Sequence, residues 1–467
     1  MKSGQAFWPA MPAKPRERTM AVALLNGNLR VGGEGLVECA TWREFTAALE
    51  LHNLDCVVED LARWRWWPDA TDCPKAWVTH GRDGHPRAVT WQGRKRRFAI
   101  TLATVWGGRH ADRSLCRDLE RVAEATGIGQ WPTPARLGDA LQRRAWKDAH
   151  GWRWESRPAR PARALLLEHG VGGRWETAKV GGRFQHVWEI DQRDAYAAAW
   201  ALPKPSGPAI MVAGVCELPE GIVTAYGPLE FTIREELGCL GPLPIRQELL
   251  SWPTKPGTYQ TWAWAEEVED ARSCGVEVRS TGTAMGWGKW VEAPEWTREI
   301  SSIRRQAGGW GSLVKLATVA AIGRHGRAPS AWVEARDRSQ AGIAYGGAGK
   351  AYRKRSTDPS ACTHWYAYAI MQARRRVWHR GVAEQQAGRR VWAVETDSLI
   401  LDGPPLGPVV KRGDDLPGEW TVRREDDEVE TAANRWALFS DGTGRTPGLP
   451  AAGREAWLAA HAPPLVA

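Results

Sequence analysis

The sequence holds no aspartate before Asp55 and no tyrosine before Tyr196, although 29 tryptophans are scattered along its 467 residues. It has no stretch near the roughly 18 uninterrupted apolar residues that a spanning helix needs, so no transmembrane segment is expected. Residues 1–19 are polar and proline-rich, without the apolar core of a secretory signal. The eight cysteines (39, 56, 73, 116, 216, 239, 274 and 362) include no Cys-x-x-Cys pair. Zinc ribbons, thioredoxin-like redox pairs and dense disulfide scaffolds are therefore not expected, and free thiols in a reducing cytoplasm are. No repeat or low-complexity tract is visible.

What is present describes a soluble globular chain with room for two or three domains: 43% hydrophobic and 25% charged residues. Lysine and arginine number 63 against 54 acidic residues, a net charge of +9 that points to a polyanionic partner. The segment Arg157-Pro158-Ala159-Arg160-Pro161 has linker chemistry, because its prolines favour extended backbone. It suggests a boundary near residue 160. Upstream, Phe98-Ala99-Ile100-Thr101-Leu102 reads as a strand after the basic run Arg94 to Arg97.

Three segments carry candidate chemistry. In the first, Trp188-Glu189-Ile190 forms a strand that delivers Asp191, and the chain then turns into an alanine-rich helix bearing Tyr196. Taken alone, Asp191 reads as a helix cap or turn residue ahead of a functional carboxylate. The second is a helical stretch from Ile300 to Gly323, interrupted around Gly308-Gly309. Its spacing predicts Arg304, Lys315, Val319 and Ile322 on one face, fit either to hold a phosphate chain beside a base or to lie solvated over a core. The third, Val391 to Leu401, reads as a β-hairpin turning through Glu395-Thr396-Asp397-Ser398. Two acids between apolar strands suit either a bound divalent cation or a solvated hairpin tip.

Together these segments resemble motifs A, C and B of the family B DNA polymerases, most closely the protein-primed phage type. Asp191-Gln-Arg-Asp-Ala-Tyr196-Ala197 keeps the Asp and Tyr of the D-x-x-S-L-Y-P motif. Glu395-Thr396-Asp397-Ser398 matches D-T-D-S apart from its first acid. Lys315 to Gly323 keeps only the Lys and Gly of K-x-x-x-N-S-x-Y-G. The stretch around Tyr366, Ile370, Ala373 and Val377 is similar to the helix that precedes the D-T-D-S hairpin. Gly172-Gly173 is similar to the glycine loop that touches template in these enzymes. The likeness runs from about residue 165 to 440.

The resemblance implies an α+β right-hand polymerase with an antiparallel palm sheet, helical fingers and a small thumb. It divides the chain into a degenerate exonuclease-like α/β domain (1–160), palm and fingers with two insertions (161–405) and a thumb with tail (406–467). The first insertion is expected to begin at Gly227 to Ile233 and Pro242 to Arg246. Asp191 and Asp397, with Glu395 beside them, would be the catalytic acids, and Asp191 and Asp397 would hold two Mg²⁺ or Mn²⁺ ions. Tyr196 would screen the sugar, while Lys315 and Arg304 or Arg305 would clamp the triphosphate. Gly172, Gly173, Arg353, Lys354, Arg355, Arg374, Arg375, Thr396 and Ser398 would contact DNA. Template and primer DNA, dNTPs and a terminal protein primer are the implied partners of a cytoplasmic monomer.

Several departures bear on activity. Val319 and Ile322 stand where the family has Asn and Tyr in the nucleotide pocket. A K-x-Y motif is at best degenerate near Asn434-Arg435-Trp436. The Asp-x-Glu and Tyr-x-x-x-Asp of a proofreading exonuclease have no counterpart before residue 160, and His52-Asn53-Leu54-Asp55 is only faintly similar to another of its motifs, so proofreading is not expected. Two other readings stand beside the polymerase. One is a weakened or inactive DNA-binding relative with an architectural or initiation role. The other is a metal-dependent nuclease, which leaves Lys315 and Tyr196 without a task.

Overall fold

The computed structural model describes residues 19–24, 26, 28–31, 35–51, 54–72, 76–80, 86–92, 97–106, 113–128, 133–150, 165–166, 168–170, 174–177, 182–246, 250–293, 296–306, 310–326, 332–334, 344–345, 351–354, 362–410, 416–432, 436–441 and 444–445. The linker at 157–161, the Gly172-Gly173 pair, His52-Asn53 and Asn434-Arg435 lie outside them. The chain divides into two units. One comprises residues 1–144, 303–321 and 329–357, the other 145–302, 322–328 and 358–467.

In the first unit a seven-stranded mixed sheet runs in the order Gly35–Val37, Leu29–Val31, Thr19–Ala23, Leu54–Val58, Arg97–Leu102, Pro86–Gln92, Ala76–His80. Leu54–Val58 lies parallel to both of its neighbours and is buried along its whole length. That placement explains its apolar run. The one acid in it, Asp55, is fully enclosed, and its Oδ1 accepts the backbone N–H of Ala99 at 2.7 Å. Helix Trp42–Leu51 covers the sheet. Its start is fixed by a capping box in which Thr41 Oγ1 accepts the Glu44 N–H and Glu44 returns a bond to the Thr41 N–H. Phe45 of this helix meets Trp64 edge-on at 5.1 Å, so the tryptophan-rich sequence here fills a core.

The basic segment near Ile300 forms two helices, Trp296–Gln306 and Gly311–His325. Within the first unit the latter meets helix Pro134–His150 at Gly138. A Cβ at Gly138 would lie 2.0 Å from the carbonyl oxygen of Ala317 and 2.6 Å from the Cβ of Ala321. Small residues on both partners therefore set how closely the helices approach.

The second unit contains two main antiparallel sheets. In one, Thr224–Ile233 pairs with Gly257–Trp264, Glu277–Ser280 and Ala284–Trp287, and Ile210–Val212 forms an edge. The other has seven strands, ordered Gly444–Arg445, Trp436–Phe439, Trp420–Ala432, Gly182–Gln192, Ser398–Leu401, Val391–Thr396, Arg174–Thr177. The helix Thr363–Gln386 serves both. Its Tyr368 and Met371 pack with Tyr226, Trp264, Met285 and Trp287 of the first sheet. One to two turns later, Val377 packs with Ile190, Val394, Leu399 and Leu401 of the second. The expected stripe of Ile370, Ala373 and Val377 is buried, while Tyr366 is only partly covered.

Gly138→Ala tests the helix contact in the first unit. Alanine is the better helix former by about 1 kcal/mol, but a methyl group driven into a backbone carbonyl costs about 1–3 kcal/mol. The variant is expected to unfold at lower temperature than the parent, as read by circular dichroism.

Candidate active site

The long strand Gly182–Gln192 lies between two others, and its register places Asp191 opposite Ser398 on one side and Thr421 on the other. Ser398 opens the second arm of the hairpin, where it pairs with Glu395 across a loop of Thr396 and Asp397. The loop is pinned by its backbone. The N–H of Asp397 donates to the Glu395 carbonyl at 2.5 Å, and its own carbonyl accepts the Gln192 N–H at 2.7 Å. Thr396 takes φ 56°, a left-handed conformation unusual for a β-branched residue, and the bonds on either side hold it there. Asp191 and Asp397 thus occupy adjoining ends of two bonded strands. Glu395 and Ser398 are buried beside them, Ser398 donating through its hydroxyl to the Glu395 carbonyl at 3.3 Å.

Past Gln192 the chain reverses. The Arg193 carbonyl accepts the Gly418 N–H and the Arg193 N–H donates to the Glu419 carbonyl, which docks the turn onto the neighbouring strand's approach. Asp194 adopts a left-handed conformation (φ 45°) and starts the helix Ala195–Trp200. It is the residue at this cap, whereas Asp191 stays in the strand, so Asp191 does not cap the helix. The helix end is closed by Lys204, whose fully enclosed ammonium donates to the carbonyls of Ala199 (3.0 Å), Trp200 (2.7 Å) and Leu202 (2.5 Å). Burial, and then the Arg376 charge, hold this lysine well below its ordinary pKa. Tyr196, one turn into the helix, has its hydroxyl pushed up by burial first and then by the Asp397 carboxylate and Tyr366, against a smaller opposing effect of Arg374. It therefore remains a neutral phenol within the field of Asp397.

Arg374 and Arg375, expected to face DNA, have other partners. Arg374 is buried and donates to Glu267 through Nε at 3.1 Å and again through Nη2. Arg375 grips both oxygens of Asp270 at 2.6 and 2.9 Å, and His379 adds a third contact to Asp270 at 2.9 Å. These ion pairs clamp the long helix to helix Ala265–Ser273, and Glu267 at the same time accepts the Trp264 N–H as that helix's capping group. The two arginines are thus structural braces, which corrects the expectation that they offer free charge.

The predicted common face of Arg304, Lys315, Val319 and Ile322 is also corrected. Arg304 and Lys315 stand on separate helices, and Ile322 is 2% exposed while Val319 is 43% exposed. Lys315 is exposed and Arg304 partly so; both belong to the first unit. Arg305 lies on the same helix as Arg304, its side chain outside the described residues. Arg353 and Lys354 sit in the strand Ala351–Lys354, paired with Val333 and Trp332, and their side chains and Arg355 are outside the described residues.

No protein-family model matches the chain. No curated protein matches it in sequence. Solved structures match its fold. Phi29 DNA polymerase complexed with primer-template DNA and incoming nucleotide substrates aligns over 95% of this chain and 94% of its own, with a TM-score of 0.70 and 11% identity. The orthorhombic crystal form of the same enzyme aligns over 93% and 90%, at 0.63 and 12%. The fold resembles that of phi29 DNA polymerase. At this identity it is the fold that is shared, and with it a mixed helix-and-sheet architecture with antiparallel sheets.

The sequence reading missed the charges under Asp191. Glu189 lies two residues earlier on the same strand, is 0% exposed, and is met by both Arg423 and Arg424. The signal was there in the alternation Glu189-Ile190-Asp191, which puts both acids on one face of a strand. Among the described residues no three acidic, histidine or cysteine side chains form a cage for a metal ion.

Glu267→Ala tests the brace. It leaves the Arg374 guanidinium buried without its carboxylate, a loss of about 3–5 kcal/mol. Urea unfolding followed by tryptophan fluorescence is expected to show a correspondingly lower midpoint.

Proposed function

We propose that this chain is a template-directed DNA polymerase of the protein-primed family B type, adding dNTPs to a DNA 3′-hydroxyl or to a protein primer. One observation carries the reading. Asp191 and Asp397, far apart in sequence, meet at the bonded ends of two antiparallel strands, in a chain whose fold resembles phi29 DNA polymerase.

The donor chemistry suits Mg²⁺ or Mn²⁺. Both acids offer hard oxygen ligands, and Mg²⁺ is commonly held by one or two carboxylates plus substrate phosphates, so a complete protein cage is not required. Two such ions, when bound by Asp191 and Asp397, would supply activation of the 3′-hydroxyl and charge stabilisation at the triphosphate. The chain's own part is positioning. The turn through Thr396 and Asp397, fixed by backbone bonds, holds the Asp397 backbone in place before any substrate arrives. Tyr196, neutral and half-buried near Asp397, is suited to stack under a deoxyribose and exclude a 2′-hydroxyl. Lys315 with Arg304 and Arg305 would take the triphosphate, and Gly172, Gly173, Arg353, Lys354, Arg355, Thr396 and Ser398 the template and primer. A terminal protein is a further partner by the same resemblance. Proofreading is not part of the proposal. Asp55, the first aspartate, is engaged within the sheet by Ala99.

Primer extension with Mg²⁺ or Mn²⁺ tests the proposal against Asp397→Asn. Template-dependent extension should fall at least ~10²-fold in the variant, the scale of losing one preorganised charge. No extension by the parent with either metal, while DNA still binds with steep salt dependence, would favour the inactive DNA-binding relative. Tyr196→Val should raise ribonucleotide over deoxynucleotide incorporation by on the order of 10- to 100-fold, measured in single-turnover assays with each nucleotide.

A further inference from the structure

The strand Trp420–Ala432 breaks its regular pairing where it passes Glu189. Its register runs Trp420 opposite Gln192, Thr421 opposite Asp191 and Val422 opposite Ile190, then jumps to Arg424 opposite Glu189. Arg423 is therefore the extra residue of a β-bulge. A bulge sets two residues of one strand against one of its neighbour and re-aims a side chain. Here both guanidinium groups converge on one carboxylate: Arg423 Nη1 lies 3.3 Å from Glu189 Oε1, and Arg424 Nε lies 3.0 Å from Glu189 Oε2.

The two arginines then diverge. Arg424 is held further by Asp427 at 3.2 Å and Asp441 at 2.8 Å, and its guanidinium lies 4.2 Å from the Phe439 ring centre. Arg423 instead extends to Asp191, its Nη1 3.7 Å from Oδ1, with its side chain 39% exposed. Arg423 thus answers the charge of Asp191. That contact is longer than a hydrogen bond, so the guanidinium can leave Asp191 while keeping Glu189. A divalent cation on the Asp191 carboxylate and a guanidinium beside it repel each other.

We propose that Arg423 is a built-in counter-ion of Asp191, tethered by Glu189, which a divalent cation must push aside, so that Arg423 sets the metal affinity of this site. The proposal rests on the reading of Asp191 as a metal ligand. Arg423 acts through Asp191 and is a positioning residue. Its removal takes one positive charge away from the Asp191 carboxylate.

The test is Mn²⁺ binding to the whole protein, without DNA or nucleotide, followed by the electron paramagnetic resonance of free Mn²⁺. Arg423→Gln should bind Mn²⁺ about fivefold more tightly, the scale of one partly exposed ion pair. Arg423→Lys, which keeps the charge, should stay near the parent, and Asp191→Asn should abolish the site. Arg423→Met, uncharged and of similar length, gives the same comparison should Gln at the bulge fail to fold. Unchanged or weaker binding in Arg423→Gln and Arg423→Met overturns the proposal, as does Mn²⁺ binding insensitive to Asp191→Asn. Primer extension on the same preparations separates the two ideas. Extension with unshifted Mn²⁺ affinity removes the counter-ion and leaves the polymerase, whereas shifted affinity without extension does the reverse.

Discussion

Backbone pairing along Gly182–Gln192 is the constraint on which the candidate site depends. Side chains on a strand alternate strictly, so a slip of one residue against Ser398–Leu401 would turn Asp191 to the opposite face and carry Glu189 with it. The register is locked from within by Val187 and Ile190, whose burial in two separate clusters fixes which residues face which side. It is locked at the end by Gln192, whose N–H reaches the Asp397 carbonyl. The acids hold their places because apolar neighbours and amide groups leave the strands no alternative pairing.

Around that strand the fold uses charge mainly as internal bracing. A net charge of +9 suggests a surface offered to a polyanion, yet several prominent arginines face inward. Arg374 and Arg375 tie the long helix to a carboxylate pair on Ala265–Ser273, and Arg380 is held by Glu384 within its own helix. Arg174, wholly buried, donates to the carbonyl of Gly241. Such groups are costly to bury alone and keep their places only with partners, so they fix geometry more than they add stability.

The elements that carry the candidate site were legible in the sequence because they are written in local patterns. The alternation ending at Asp191, the alanine-rich turn of helix at Tyr196 and the apolar arms flanking Glu395 to Ser398 each need fewer than a dozen residues to be read. The partners of Arg374 and Arg375 could not be read that way, since Glu267 and Asp270 lie about a hundred residues upstream and on another element. The bulge at Arg423 is likewise a property of two strands together, and no single strand announces it. The shared face proposed for Arg304 and Ile322 failed because periodicity was carried across a break between helices.

The same central strand has a consequence for synthesis at the ribosome. Both of its neighbours, Ser398–Leu401 and Trp420–Ala432, are encoded roughly two hundred residues after it. At about 5–20 residues per second, some 10–40 s pass before either can pair with it. For that interval Gly182–Gln192 is an unpaired strand edge carrying apolar residues, the kind of surface that templates aggregation. The nascent chain must therefore keep this segment shielded or transiently structured until the hairpin emerges, and slowed elongation between residues 192 and 398 would lengthen that exposure.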